Sequence, residues 1–459
     1  MKKIVIISSA VLLLSSCGLY NKYERPAVNA EGLIRDTVSD GDTLALNSDP
    51  NFGQLSWREV FTDPNLQQLI DMALENNTDL ANAALNVKMM EDMLRVAKLA
   101  FLPGVTFSPS GTLSSFDGGA ASKTYQLPVS ASWNVDLFGN ILSQKRSAQM
   151  RLLQARDYQV AVQTQLVSGV ANLYYTLMML DEQQAILADM ESIAKESWEM
   201  MKLQNQLGMV RSTGVQSAEA SYLSVQAQAV DIRRQIREVE NSLSLLLNEP
   251  GHRIMRGKFY GQSLPEKFSA GVGVQLLSNR ADVHAAEMAL AQCFYDTETA
   301  RSKFYPSINI TGTAMFTNSA GGAIVNPGKW LLSAVGSLTQ PIFQHGAIVA
   351  GLKVAKAQQE QAFNTWQNAV LKAGNEVSNA LVLYNASAEK SQLEAKQVSL
   401  LTKNVEDTRL LYKSKGANYL EVIQAQSSLL NARIAKVSDD FSKMQAVVTL
   451  YQALGGGGR

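Results

Sequence analysis

"FYPSINITGTAMF", residues 304–316, decides the fold: from Ser307 on it alternates polar and apolar residues, in a chain whose other segments mostly read as helix. Two hundred residues earlier "FLPGVTFSPSGTLSSF", residues 101–116, repeats the pattern. A period of two marks a strand whose faces meet different surroundings. In the earlier stretch Val105, Phe107 and Leu113 share one face, and Thr106, Ser108, Ser110 and Thr112 the other. In the later one Ile308, Ile310, Ala314 and Phe316 oppose Ser307, Asn309, Thr311 and Thr313. Each has a second strand downstream. Leu127, Val129, Ala131, Trp133, Val135 and Leu137 oppose Gln126, Ser130, Ser132, Asn134 and Asp136. The pattern over Trp330 to Thr339 is weaker, because Leu331 and Val335 occupy the polar face. "FDGGAASK" and "NSAGGAIVNPGK" supply the hairpin loops. The expected strands are about 104–116, 124–137, 305–317 and 329–341.

The two strand pairs belong to two copies of one unit. Asn76-Asn77-Thr78-Asp79-Leu80 returns as Asn279-Arg280-Ala281-Asp282-Val283, and Pro103 returns as Pro306, both at an offset of 203. Gly139 and Gly346, and Ala218 and Ala425, stand 207 apart. Self-similarity over such a span implies a duplicated structural unit of helix, strand, strand, long helix and helix. Residues 140–207 and 346–414 contain no proline, so each is expected as one helix about 100 Å long. Ala355, Ala362 and Ala369 recur every seven residues beside Phe363, Val370, Val377 and Tyr384. Two apolar columns on one helix imply neighbours on both sides, as in a tube. Shorter helices are expected at about 65–100, 215–248, 277–303 and 422–453.

The start of the chain reads as an export signal. Lys2 and Lys3 precede the apolar run Ile4 to Leu14 and then Ser15-Ser16-Cys17, a pattern too short to span a membrane as a helix. It resembles a bacterial lipoprotein signal, which implies a lipidated Cys17 and, with Gly18 following, the outer membrane. Beyond it only Cys293 remains, so no intrachain disulfide is available. Lys plus Arg balances Asp plus Glu at 41 each, so no net field draws the chain to nucleic acid. His252, His284 and His345 are far apart, and neither a metal-spaced motif, a phosphate loop nor a nucleophile elbow appears; no enzyme activity, metal or cofactor is expected.

Four amphipathic strands fit a transmembrane barrel with lipid outside and water within, or a soluble sheet with one face on a core. In a membrane, four strands leave two open edges, which cannot face lipid, so the sheet must close across copies of the chain. Eight strands from a dimer make a filled barrel, whereas twelve from a trimer keep a watery lumen.

The ordered set "YNKYERP" after Cys17, "NFGQLSWREVFTDPNLQQLIDMALENNTDLANA", "KLAFLPGVTFSPSG", "SWNVDLFGN", "RSKFYPSINITG", "LTQPIFQHG" and "LYKSKGANYLEVIQAQSSLLNAR" resembles the TolC-like outer-membrane factor family. The likeness is to its lipoprotein branch serving resistance-nodulation-division efflux pumps, and it covers nearly the whole mature chain. It implies a mainly α fold with a membrane β-barrel. A homotrimer would form a 12-stranded outer-membrane barrel and a long periplasmic α-helical tunnel. It implies an exit duct for drugs or other small molecules, with a periplasmic adaptor and an inner-membrane pump as partners. The division that follows is a signal peptide at 1–16, a lipidated segment at 17–62, a first repeat at 63–250, a linker at 251–275, a second repeat at 276–454 and a flexible tail at 455–459. A type I protein secretion duct and a non-conducting structural periplasmic lipoprotein are the alternatives.

By the same resemblance, the turns after the long helices meet the adaptor. These contribute Gly208, Met209, Val210, Ser212 and Thr213 in the first copy, and Gly416, Ala417, Asn418, Tyr419 and Leu420 in the second. Gly208 and Gly416 also suit a helix terminus that needs a left-handed residue. Family gates use tyrosine and acidic positions, which here fall on Tyr412, Glu421 and Gln424. Glu421 either forms a carboxylate ring around the pore or caps the following helix. In the barrel, Ser130, Ser132, Asn134 and Asp136 are expected to line water.

Overall fold

A computed structural model describes residues 21–27, 44–45, 52–115, 117–262, 264–265, 268–269, 280–317, 330–414, 416 and 418–458. The export signal, Cys17, Ala417 and the loop at 318–329 lie outside them.

In chain order the described elements begin with β1 (Leu44–Ala45), α1 (Trp57–Val60), α2 (Pro64–Asn76) and α3 (Thr78–Leu99). Strands β2 (Gly104–Phe107), β3 (Ser110–Ser114) and β4 (Ser122–Val135) follow, then α4 (Asn140–Gln206) and α5 (Ser212–Leu246). The second half contains β5 (Phe268–Ser269), α6 (Ala281–Ser302), β6 (Ser307–Thr317), β7 (Trp330–Thr339), α7 (Ala347–Lys413) and α8 (Tyr419–Ala453). The duplication is exact in length: α3 and α6 have 22 residues each, α4 and α7 have 67, and α5 and α8 have 35. Gly139 and Gly346, both at positive φ, precede the two long helices.

The helix expected over 65–100 is two helices. Asn77 ends α2, and its Oδ1 accepts from the backbone N–H groups of Asp79 (3.0 Å) and Leu80 (3.1 Å), which starts α3. Asparagine competes for backbone donors in this way at helix starts. Asp63 caps α2 by accepting from Asn65 N–H at 2.9 Å, with Pro64 in the first helical position, where its missing N–H costs nothing.

The first expected strand, 104–116, is also two. Ser108 and Pro109 separate β2 from β3, and they lie opposite Pro128 and Leu127 of β4. Ser108 N–H still donates to Pro128 O at 3.2 Å, but Pro128 has no N–H to return, so the regular ladder is interrupted there. The register is continuous across the gap, from Phe107↔Val129 to Ser110↔Gln126, so the two faces keep their identities. The sheet is antiparallel in the order β2/β3, β4, β6, β7, with β4 and β6 paired from Gln126↔Thr317 to Val135↔Ile308.

The chain divides into two compact units. One comprises residues 1–28, 84–157 and 284–368 and contains this sheet. There the segment 21–27 is held to α6. Arg25 makes a paired contact to Glu287 (Nε to Oε1 2.8 Å, Nη2 to Oε2 2.6 Å), and the Tyr23 N–H donates to Tyr295 Oη at 3.3 Å.

The other unit comprises 29–83, 158–283 and 369–459 and contains the main hydrophobic core. Tyr174, Tyr175, Tyr451, Phe61, Leu66 and Ile70 are fully buried within it. Tyr451 meets Phe52 and Phe61 edge to face and donates to Leu55 O at 2.7 Å. Ile254 and Phe259 of the linker are buried in the same core, and between them Arg256 binds Asp181 and Glu240. The terminal glycines, expected as a flexible tail, pack closely. A Cβ at Gly456 would stand 2.3 Å from the Tyr451 ring, an approach only glycine permits.

Candidate functional site

The turn between α4 and α5 is closed by the backbone. Gly208, at φ +69°, donates to Asn205 O at 2.9 Å, and Met209 donates to Gln204 O at 2.8 Å. This pair of bonds satisfies two carbonyls at the end of α4, and its left-handed residue is the reason for glycine at 208. Asn205 Nδ2 adds a bond to Val210 O at 2.7 Å. Met209, Ser212 and Thr213 are exposed and Val210 is partly buried. Arg211 stands at the N-cap of α5 without a side-chain cap bond.

The turn between α7 and α8 differs. Gly416 donates to Leu411 O at 2.8 Å, but it is not among the glycines with positive φ. The expectation of a left-handed Gly416 is therefore corrected: its φ is not positive. Asn418 caps α8 through a reciprocal pair, in which Asn418 Oδ1 accepts from Glu421 N–H at 3.1 Å and Glu421 Oε1 accepts from Asn418 N–H at 3.4 Å. Of the two roles open to Glu421, the helix cap is present. Leu420, Glu421 and Gln424 are exposed.

Tyr412 ties the end of α7 to the end of α4. Its hydroxyl donates to Gln204 Oε1 and lies 3.4 Å from Met201 Sδ, while its ring meets Tyr419 edge to face at 5.6 Å. Burial pushes the Tyr419 hydroxyl above its ordinary pKa. Beside them Gln426 Nε2 donates to Ser197 Oγ at 3.4 Å, and Arg409 faces Glu196 at 3.7 Å. Gln204, Ser197 and Gln426 escape a reading of the sequence, because their meeting depends on how helices 200 residues apart are aligned.

In the sheet, Ser130, Ser132 and Asn134 lie on one face, opposite Thr313, Thr311 and Asn309 of β6. Ser130 and Thr313 hydroxyls are 3.1 Å apart, and Ser132 Oγ donates to Asn309 Oδ1 at 3.0 Å. Asp136 has a backbone partner as well. It follows Val135, the last paired residue, and its Oδ2 accepts from Leu142 N–H at 2.7 Å in the first turn of α4. One oxygen of this carboxylate is thus engaged at a helix N-terminus, where negative charge is favoured.

Among the described residues no group of three or more His, Cys, Asp and Glu could hold a metal ion. His284 Nδ1 pairs with Asp157 at 2.7 Å, and His252 Nδ1 lies 3.1 Å from Pro250 O. No helix among the described residues is long and apolar enough to cross a membrane.

Comparison with known proteins agrees with this arrangement. The family model "Outer membrane efflux protein" matches residues 69–249 and 272–456, both copies of the repeat. The cation efflux system protein CusC of Escherichia coli O157:H7 is 26% identical over 449 residues, covering 97% of each chain. The toluene efflux pump outer membrane protein TtgC of Pseudomonas putida is 27% identical over 479 residues, covering 99% of this chain and 96% of its own. The crystal structure of the open state of the Neisseria gonorrhoeae MtrE outer membrane channel superposes with a TM-score of 0.83 at 27% identity, covering 95% of this chain and 98% of that one.

Proposed function

The chain belongs to the outer membrane efflux protein family, and from that premise we propose that it is the outer-membrane exit duct of a tripartite efflux pump. It conducts drugs or other small molecules passively from a periplasmic adaptor and an inner-membrane resistance-nodulation-division transporter to the outside.

One observation carries the reading. Among the described residues the sheet is mainly polar on one face and apolar on the other, with no strand beyond β2/β3 or β7, on a duplicated scaffold of 67-residue helices. Phe107 pairs with Val129, and Val129 with Ala314, on the apolar face, which suits hydrocarbon. The Ser130, Ser132 and Asn134 face suits water. Two open edges in lipid would leave backbone groups unpaired at several kcal/mol each, so three chains close the twelve strands into one barrel. Cys17, after cleavage of the 1–16 signal, carries the lipid. The two turns, with Gly208 to Thr213 and Gly416 to Leu420, dock the adaptor, and Glu421 rings the pore mouth while capping α8. Energy comes from the partner pump, so the duct itself needs neither cofactor nor catalysis.

The relatives named for cation and for toluene efflux match this chain at nearly equal identity, so the cargo is set by the pump rather than by the duct. The test is the mass of the detergent-solubilised complex before and after heating. A trimer that survives in unheated detergent and falls apart to monomer on boiling is expected; a monomer throughout would overturn the barrel. Glu421→Ala in a competent pump is expected to alter conductance or drug sensitivity, and no change in either would remove its gating role.

A further inference from the structure

The two helical hairpins α4–α5 and α7–α8 match residue for residue at an offset of 207, from Asn140/Ala347 to Leu246/Ala453. Their seams can therefore be compared position by position. In the first copy, Leu187 on α4 is 1% exposed, and Ala229 and Ile232 of α5 are buried or partly buried around the same core. At the equivalent places the second copy carries Glu394 on α7 and Lys436 and Asp439 on α8. Gln183 and Arg233 of the first copy become Lys390 and Asp440. Three apolar positions of the first seam, Leu187, Ala229 and Ile232, are thus charged in the second.

The charged seam is closely bonded. Lys390 Nζ donates to Asp439 Oδ1 at 2.7 Å, Ser391 Oγ donates to Asp440 Oδ1, and Lys436 Nζ donates to Asp440 Oδ2. Tyr260 of the linker donates to the same Asp440 oxygen at 3.3 Å, with Lys436 over its ring at 5.4 Å. Glu394 is the odd member. One of its oxygens, Oε2, is buried without a hydrogen-bond partner, and its carboxyl lies against Asp439. Two carboxylates and two ammonium groups balance when Glu394 carries a proton; ionised, it leaves a third negative charge with a buried, unpartnered oxygen. Such an oxygen is costly, and a proton shared with Asp439 relieves it.

We infer that the α7–α8 seam is a protonation-dependent latch: a proton on Glu394 holds the second hairpin together, its loss loosens that hairpin, and the first hairpin, with Leu187 at the equivalent place, has no such proton. This regulates the duct proposed above and rests on that reading for its consequence, although the latch itself concerns only the hairpin. Burial, followed by Asp439, raises the Glu394 pKa, with Lys390 opposing and Asp440 adding to the rise. The remaining charged groups around the cluster are Lys443 on α8 and Glu182 on α4, which acts on Tyr260. For a carboxyl with a raised folded-state pKa, the packed seam is favoured at low pH, below the ordinary glutamate value of 4.5. That advantage is lost as pH rises through the folded value.

The test is hydrogen exchange on the intact purified protein, comparing protection of α7–α8 around residues 386–443 with that of α4–α5 in the same sample. The ratio cancels the intrinsic pH dependence of exchange. From about pH 4, below the ordinary glutamate value, to about pH 8 the ratio is expected to fall, on the order of threefold or more. Glu394→Gln, a fixed neutral partner, and Glu394→Leu, the first copy's residue, are each expected to flatten that dependence. A wild-type ratio that does not change with pH, or variants that keep the full dependence, would overturn the latch. Neither result bears on whether the protein conducts, which conductance decides separately.

Discussion

The sheet and the helical core use apolar residues in opposite ways. In the unit built around Tyr174 and Tyr451, large side chains are sealed from solvent, and the Tyr174 and Tyr451 hydroxyls donate to Asp63 Oδ2 and Leu55 O, each at 2.7 Å. In the sheet, Phe107 is 63% exposed and Leu338 is 69% exposed, on a face that pairs Phe107, Val129 and Ala314 in one row. The core folds by burying its own surface. Among the described residues the sheet lacks that option, because nothing pairs with its outer edges and its apolar face is exposed. A surface of this kind is stable only with lipid on one side, water on the other and further strands at the edges.

That contrast predicts different consequences for substitutions of similar severity. Tyr451→Ala removes the ring that packs on Phe52 and Phe61 and the bond to Leu55, and is expected to cost about 3 to 5 kcal/mol. Denaturant unfolding of the helical unit reads this loss, in detergent and in lipid alike. Phe107→Arg leaves the helical core intact but places a charge on the proposed lipid face, at up to about 2 to 4 kcal/mol. Its effect should be confined to membrane insertion and to the heat-labile oligomer. If Phe107→Arg assembled normally in outer membranes, the assignment of that face to lipid would fail. A smaller effect separates the two hairpin turns. Asn418→Ala removes the α8 cap and should cost about 1 kcal/mol. Arg211→Ala, at a turn with no side-chain cap bond, should cost nearly nothing in thermal denaturation. The smallest effect is a pH response. Asp157 raises the His284 pKa through its hydrogen bond. The stabilisation from this pair is fully present below the ordinary histidine value of 6.5 and is lost as pH rises through the higher folded value. Nuclear magnetic resonance titration of His284 in wild type and Asp157→Asn should show the rise and its loss.

Much of this architecture is legible in the sequence. The offsets of 203 and 207 are local counts, and proline-free stretches and period-two alternation are local chemistry, so the duplication, the long helices and the strand faces can be read directly. Boundaries set by a single side chain are harder. Asn77 sits in a helical pattern, and only its bonds to Asp79 and Leu80 reveal the break. Pro128, which accepts from Ser108 N–H but cannot donate back, interrupts a ladder whose register is otherwise unchanged. Asp136 alternates correctly for a lumen residue, yet the strand ends one residue earlier and a helix start claims its carboxylate. The run of terminal glycines suggests flexibility by composition, whereas Tyr451 requires a neighbour with no side chain. The cross-links at Tyr412 and the charged α7–α8 seam depend on long-range alignment. The seam becomes visible once the two copies are set side by side at the offset the sequence already contains.

The central claim is that three chains close a conducting barrel. Single-channel recording of the purified, lipidated protein in planar bilayers, with mass determination on the same preparation, tests it most directly. The account predicts a trimer that gives small, flickering openings. A non-conducting monomer or dimer would contradict it and leave a helical periplasmic lipoprotein that spans nothing.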